Sequence, residues 1–354
     1  MQEDAVSQDG PSDHPDPSGH GQKAKPRSYV LTCDLGQKIK QWHHFKIKTP
    51  PENDPFFSDL KKGMKLRLES IFPGVEIKTI DMADLVDEIV GEAMSKKSLL
   101  KNVAIVSTCP EIAKEVQSHT HTLEINRIVD LQGNIIGLGP RPGHPGIDYQ
   151  INQIARSLNG EPVVLIEDGS FTGNTLLFIL EKFRRYHVPV AAIVVGFIFP
   201  TAMERLKQCP HFKGEIVVIE EIANCIDWVP DHDFFPFVAN CGRVLGLSFN
   251  GNILPFYTYE GASYSIPYLT TFAPMSEWTS IPPDKVNDFS IFCADQATRL
   301  FSMIDSMNDD PVKIGQLLDG RPRISVPLSV GNWNFPSLET SIREYMSETR
   351  QMMS

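Results

Sequence analysis

Apolar positions along the chain follow two rhythms. Largely apolar runs at residues 103–106, 163–166, 190–198 and 215–219 read as strands buried on both faces, because a parallel-sheet strand covered by helices need not alternate, and residues 75–80 read as a further strand bounded by Pro73-Gly74. Between them apolar residues recur at helical spacing: Phe56, Leu60, Met64 and Leu68, then Leu85, Ile89 and Ala93, then Leu176, Ile179, Leu180 and Phe183. The first of these helices is expected to begin near the Pro50-Pro51 break, and the second to take Asp81 or Asp84 as its N-cap. The run Ser107, Thr108, Cys109, Pro110, Glu111 is a further helix start placed directly after a strand. Helices alternating with buried strands predict an α/β fold with a mainly parallel sheet flanked by helices.

The pattern changes on either side of that middle. Residues 1–27 offer almost nothing to bury and are expected to form a disordered tail in which His14 and His20 are solvated. Residues 28–100 read as an N-terminal extension, opening on a strand at 28–33, of a core spanning 101–242. Within that core, 122–130 and 133–138 resemble two strands around a Gln132-Gly133 turn. Three prolines and three glycines in the eight residues 139–146 forbid regular structure there. A helix from about 148 to 158 leads to the strand at 163, and an irregular aromatic stretch is expected over 227–242. Residues 243–354 read as a cap packed on the core, with one clear helix carrying Phe289, Cys293, Leu300, Ile304 and Met307.

Composition narrows the class. Apolar residues make up 41% and charged residues 22%, ordinary values for a globular chain, and the net charge of −11 argues against a general binder of nucleic-acid backbones. Six cysteines are scattered without a C-x-x-C pair, which fits reduced thiols better than a disulfide framework. With no stretch of 18 apolar residues and no apolar leader, no membrane association is indicated and a cytoplasmic location is expected.

The chemistry concentrates at residues 163–175. Val163, Val164, Leu165 and Ile166 form the strand, Glu167 and Asp168 are expected to close it, and Gly169, Ser170, Phe171, Thr172, Gly173, Asn174 and Thr175 lead into the next helix. Backbone N–H groups at a helix N-terminus cradle an anion, glycine allows close approach, and the threonines add hydroxyl donors. The acidic pair can accept hydrogen bonds from sugar hydroxyls or hold water on a Mg²⁺ that neutralises a second phosphate. A helix-capping turn after a strand is the blander account of the same residues. No P-loop occurs, Gly137, Gly139 and Gly143 lack the spacing of a dinucleotide fingerprint, and Ser170 falls one place early for a nucleophile elbow. Asp231, His232 and Asp233 follow Pro230 and not an apolar strand, so they read as a solvated loop, with Mg²⁺ binding as the alternative.

Four apolar residues, two acids, a variable stretch and Thr-Gly-Asn-Thr make residues 163–175 similar to the signature of the type I phosphoribosyltransferases. The Glu-Asp order looks like the hypoxanthine–guanine and orotate branches, whereas Gly169 and Phe171 depart from the commonest members. The resemblance implies phosphoribosyl pyrophosphate (PRPP) as ligand, with Glu167 and Asp168 on the ribose hydroxyls and Phe171 to Thr175 on the 5′-phosphate. It implies Mg²⁺ as cofactor, reached from Asp168 through the pyrophosphate. Ser107, Thr108 and Cys109 stand where such enzymes bind pyrophosphate, without the usual Lys, Arg or Gly. Arg141 and His144 lie in the place of the loop that closes over pyrophosphate, and a structural Pro-rich loop is the alternative. Asp227 and Trp228 occupy the place of the base-contacting hood, where Trp228 either stacks on a base or packs in the core. The expected activity is transfer of phosphoribose to or from a nitrogenous base by a pentosyltransferase, with a homodimer as one arrangement. The alternative is a non-catalytic sensor of PRPP or a nucleotide on the same fold.

Overall fold

In the computed structural model, which describes residues 27–116, 120–256, 263–317, 323–325 and 337–353, the run beginning at Val163 lies at the centre of a five-stranded parallel sheet. The expected tail therefore falls outside the described residues apart from Arg27. In chain order the elements begin with β1 (Ser28–Cys33), α1 (Leu35–Lys40), α2 (Pro55–Ile71), β2 (Glu76–Asp81) and α3 (Met82–Leu100). The middle runs through β3 (Ala104–Ser107), α4 (Pro110–Val116), β4 (Thr120–Thr122), β5 (Ile125–Val129) and β6 (Ile135–Pro140). It continues with α5 (Ile147–Leu158), β7 (Val163–Ser170), α6 (Asn174–Arg185), β8 (Val190–Ile198), α7 (Pro200–Lys207) and β9 (Glu215–Glu221). The last part holds β10 (Cys225–Pro230), β11 (Arg243–Phe249), β12 (Asn252–Pro255), β13 (Ser263–Ile266), α8 (Met275–Thr279), α9 (Val286–Met307), β14 (Arg323–Ser325) and α10 (Ile342–Met352).

The strand order β4-β3-β7-β8-β9 is parallel throughout. Alternation divides each strand between two cores. Val163 and Leu165 face α5, α6 and α7, while Val164 and Ile166 face α3 and α4, so the sheet is sandwiched between helix layers as the runs predict. Helix α3, read from the sequence as part of an N-terminal extension, completes one of those layers through Leu85, Ile89 and Ala93. Asp81 caps it by accepting from the Ala83 N–H.

A second parallel sheet, β10-β1-β2, is a wall shared by two cores. Val30 and Ile80 face the α3 side, while Tyr29, Leu31, Ile77 and Val229 face a large core built with α2, α9 and α10. The N-terminal and C-terminal segments thus form one body, and the Tyr29 hydroxyl donates to the Thr279 carbonyl at 2.7 Å inside it. The remaining sheet is mixed, in the order β14-β13-β11-β5-β6, with β12 on β11. Among the described residues no helix is long and apolar enough to cross a membrane.

Several boundaries differ from expectation. Helix α2 starts at Pro55, not at Pro50-Pro51, because Asp54 accepts from the Phe56 N–H and Pro55 takes the first turn. The expected single strand at 122–130 is two strands in two sheets, parted where Leu123 N–H donates to the Ser107 carbonyl and Glu124 N–H to the Gln150 side chain. Pro140 still belongs to β6, at its end, opposite Ile125, where no further N–H is needed. Likewise β10 carries regular structure through Pro230 into the stretch expected to be irregular.

Four aromatic rings connect the end of β7 to β10. Phe171 meets Phe199 at 4.7 Å, Phe199 meets Phe197 at 5.9 Å, and Phe197 meets Trp228 edge-on at 4.7 Å. The ring of Phe197 rests on Gly169, where a Cβ would sit 2.4 Å from its Cζ. Gly169→Ala is therefore expected to cost about 1–3 kcal/mol. Combining it with Phe197→Leu should recover part of that loss in urea unfolding, and strictly additive losses would show that the ring is not the obstacle.

Candidate functional site

Numbered in chain order, β3, β4, β7, β8 and β9 give the sheet order 2-1-3-4-5. The chain leaves β3 toward β4 on one side and returns to β7 on the other, which makes their carboxyl ends the switch point whose crevice binds ligands in open α/β sheets. Ser107, Thr108 and Cys109 form one wall of it and residues 167–175 the other. The register Ser107↔Ile166 brings Thr108 against Glu167, and the Thr108 hydroxyl donates to Glu167 Oε2 at 2.6 Å.

The acidic pair does not end its strand. Pairing with β8 continues through Gly169↔Phe197 and Ser170↔Ile198, so only Phe171, Thr172 and Gly173 remain for the turn, and α6 already includes Asn174 and Thr175. Gly173 supplies the left-handed backbone at φ 78° that starts the helix, a conformation costly for residues with a Cβ. No side chain caps that helix, so its dipole and leading N–H groups stay available to an anion. Arg205 of α7 completes the turn, donating to the Thr172 carbonyl at 2.6 Å and to Asn174 Oδ1 at 2.7 Å. Nothing in the local sequence marked Arg205, since it joins the turn only through the packing of α7.

Burial, and then the neighbouring Asp168 carboxylate, push Glu167 well above the usual carboxylate range. Asp168 Oδ1 accepts from the Gly169 N–H at 2.8 Å. The opposite wall is internally satisfied: the Ser107 hydroxyl donates to the Cys109 carbonyl and accepts from its N–H, and Thr108 N–H pairs with the Ile166 carbonyl. Cation character comes instead from Arg141, whose Nη2 donates to the Thr108 carbonyl at 3.0 Å. Its Nε lies 3.3 Å from Glu124 Oε2, and His144 Nε2 lies 3.8 Å from the same oxygen. Sequence reasoning missed Glu124, which enters the site at the break between β4 and β5.

The hood residues are half-buried, with their polar atoms engaged inside the protein. Trp228 Nε1 donates to Thr32 Oγ1 at 3.2 Å, while Asp227 accepts from the Trp228 N–H and from the Ser280 hydroxyl. Trp228 meets Phe197 edge-on, and Phe197 rests on Gly169 at the end of β7.

Asp231, His232 and Asp233 are buried, at 5–7% exposure, and do not form the expected solvated loop. Asp231 Oδ1 accepts from the N–H groups of Asp34 and Leu35 at the start of α1, which fixes the chain inward. His232 Nδ1 stands 2.5 Å from Asp34 Oδ1. Lys38 then bridges Asp34 at 3.7 Å and Glu111 at 2.8 Å. Asp34, Asp231 and His232 bring three donor atoms within 4.8 Å of one another, but the Lys38 ammonium already supplies a cation there. Burial works to lower the His232 and Lys38 values, and the surrounding carboxylates outweigh it, so both rise. Burial opposes the ionisation of Glu111, and Lys38 reverses that, holding it well below the usual range.

No family model matches the chain, and no curated protein matches it. Among solved structures it is similar over 34% of its length to AQ2163 from Aquifex aeolicus, at 16% identity and a TM-score of 0.26, a match spanning 55% of that protein. TT1426 from Thermus thermophilus matches over 39% of the chain and 82% of its own length, at 19% identity and a TM-score of 0.25. A hypothetical protein from Neisseria gonorrhoeae with bound ppGpp matches over 41% of the chain and 84% of its own, at 10% identity and a TM-score of 0.28.

The buried charges can be tested by substitution. Because the folded state raises Glu167 above its ordinary value of 4.5, its contribution to stability is present below that pH and is lost as pH rises. Glu167→Gln should therefore be thermally more stable than wild type by a margin that grows from about pH 4.5 upward, and a margin that shrinks would contradict the assignment. Lys38→Met strands Asp34 and Glu111 and should cost about 3–5 kcal/mol in urea unfolding, with Glu111→Leu in the same chain restoring much of it.

Proposed function

We propose that the chain binds PRPP in the crevice between β3 and β7 and transfers its phosphoribosyl group to a nitrogenous base. The observation that carries this reading is the acidic pair set beside an uncapped helix N-terminus at the point where the sheet order reverses. The 5′-phosphate is held by the N–H groups of the Phe171–Thr175 stretch and by Arg205. Glu167 and Asp168 accept from the ribose hydroxyls, as the resemblance to type I phosphoribosyltransferases implies.

Displacement at C1 breaks the bond to the pyrophosphate oxygen, whose electron pair leaves with pyrophosphate. The acceptor nitrogen supplies the new bond and gives up a proton. Positive charge develops on the ribose beside the two carboxylates and negative charge on the leaving group near Arg141, so positioning and fixed charges do the catalytic work. The donor set fits Mg²⁺: two hard carboxylates stand side by side, and burial together with the neighbouring Asp168 charge raises Glu167, a cost that a cation would relieve. When bound, Mg²⁺ neutralises the pyrophosphate charge, and Asp168 is the residue placed to hold it through that group.

The internally satisfied polar groups of Ser107 and Cys109 favour a second reading, a sensor that binds PRPP without turning it over. Calorimetric titration with PRPP and Mg²⁺ tests the binding site. Wild type is expected to bind, and Asp168→Asn to weaken binding about 10- to 100-fold, the value of a lost hydrogen bond to a charged group. Absence of binding by wild type, or unchanged binding by the variant, overturns the site. Pyrophosphate release with a panel of purines and pyrimidines separates the enzyme from the sensor.

A further inference from the structure

A cleft of about 350 Å³ opens between the start of α4, the loop after β6 and the stretch 237–240, and none of residues 107–109 or 167–175 lines it. Arg141 stands in the wall between cleft and crevice, with its Nη2 turned to the Thr108 carbonyl. We infer that the cleft is a separate binding site for an organic monoacid, a carboxylate carried on a flat apolar body. The inference holds whether or not the crevice takes PRPP. The body follows from the floor, which Trp42, Phe45, Phe237 and Val238 line. Trp42 stacks on Phe301 at 6.0 Å and Phe237 meets Tyr345 edge-on at 4.9 Å, so both rings are held from behind. The volume is at the small end of ligand sites and suits a small ring system better than a complete nucleotide.

The backbone of that floor is strained. Phe237 has φ 69° and Asn240 φ 64°, the left-handed conformation that residues with a Cβ rarely adopt, and for a bulky aromatic residue an outlier. Strain of this kind persists only where the surrounding packing over-determines it, and it gathers at ligand clamps. Both residues line the cleft. A floor fixed in this way is shaped before the ligand arrives, so little ordering remains to oppose binding.

The ligand's charge follows from what the cleft leaves uncompensated. Glu111 accepts from Lys38 at 2.8 Å and from Gln41 at 3.2 Å. Glu124 lies 3.3 Å from Arg141 Nε and 3.8 Å from His144 Nε2. Both carboxylates are thus matched within the protein, and neither calls for a ligand ammonium. Lys114 is exposed on the same cleft and forms no ion pair among the described residues, and the exposed His44 adds an imidazole. One uncompensated cation beside an apolar floor suits a single negative charge. A carboxylate supplies it and offers a second oxygen to the imidazole N–H. A phosphoryl dianion would call for a further unmatched cation, which the described lining lacks.

Calorimetry on the full chain with indole-3-acetate, indole-3-acetamide and tryptamine tests the site, because these probes share one flat body and differ in the charge of the head group. Indole-3-acetate is expected to bind about tenfold or more tighter than the amide, the value of a hydrogen bond to a charged group, and tryptamine to bind most weakly. Lys114→Met should remove the preference for the acid and leave the affinity for the amide within about twofold. Ala239→Phe, which narrows the cleft, should weaken the acid about tenfold or more. PRPP with Mg²⁺ at saturation should not displace the acid. Absence of binding by every probe, equal affinity for all of them, an acid preference that survives Lys114→Met, or displacement of the acid by PRPP overturns the inference. A chain that fails to bind PRPP but keeps the Lys114-dependent preference loses the phosphoribosyl reading and retains this site.

Discussion

The pairing of β3 with β7 is the constraint on which the crevice depends. These strands are neighbours in space but not in sequence, and their register sets Thr108 against Glu167 across 59 residues of chain. A slip of one residue would turn every side chain of β7 to the opposite face and exchange its two cores. The alternation of Val163 and Leu165 against Val164 and Ile166 guards against that slip, since each set is matched to its own helix layer. Packing on both faces therefore fixes the position of a polar contact at the strand end.

The legible part of this architecture is the part in which local pattern and tertiary role agree. The runs at 103–106 and 163–166 announce buried strands, and Leu176, Ile179, Leu180 and Phe183 do occupy the buried stripe of α6. The turn at 171–173 could be located, although the strand before it runs two residues beyond Asp168, because pairing with β8 continues where the side chains become polar. Glu124 and Arg205 were not legible. Each reaches the site through a long-range fit: a strand that changes sheets in one case, a helix laid beside a turn in the other. The burial of Asp231, His232 and Asp233 was hidden for a related reason. Three ionisable residues in succession look solvated until the N–H groups of α1 and the ammonium of Lys38 are seen to meet them.

The second core explains why so much chain surrounds a five-stranded sheet. The β10-β1-β2 wall has apolar residues on both faces, so it needs a partner on each side. One partner is the helix layer of α3, and the other is assembled from α2, α9 and α10. Lys38 and Glu111 tie that second body to the start of α4, a short distance from the crevice. A charge pair of this kind contributes little net stability against apolar replacements, but it penalises any arrangement in which only one partner is buried.

The shared wall also sets a timetable for synthesis. Strand β1 emerges early, yet its neighbour β10 lies nearly two hundred positions later, as the 195-residue span from Ser28 to Ala223 records, and the partner of the Tyr29 hydroxyl follows 250 positions on. At translation rates of about 5–20 residues per second, the apolar faces of β1 and α2 wait roughly 12–50 s for their cover. The central sheet can close during that interval, because its strands follow one another. Until β10 and α9 arrive, the apolar faces of β1 and α2 have no partners, so the order of synthesis and the order of packing differ in this part of the chain.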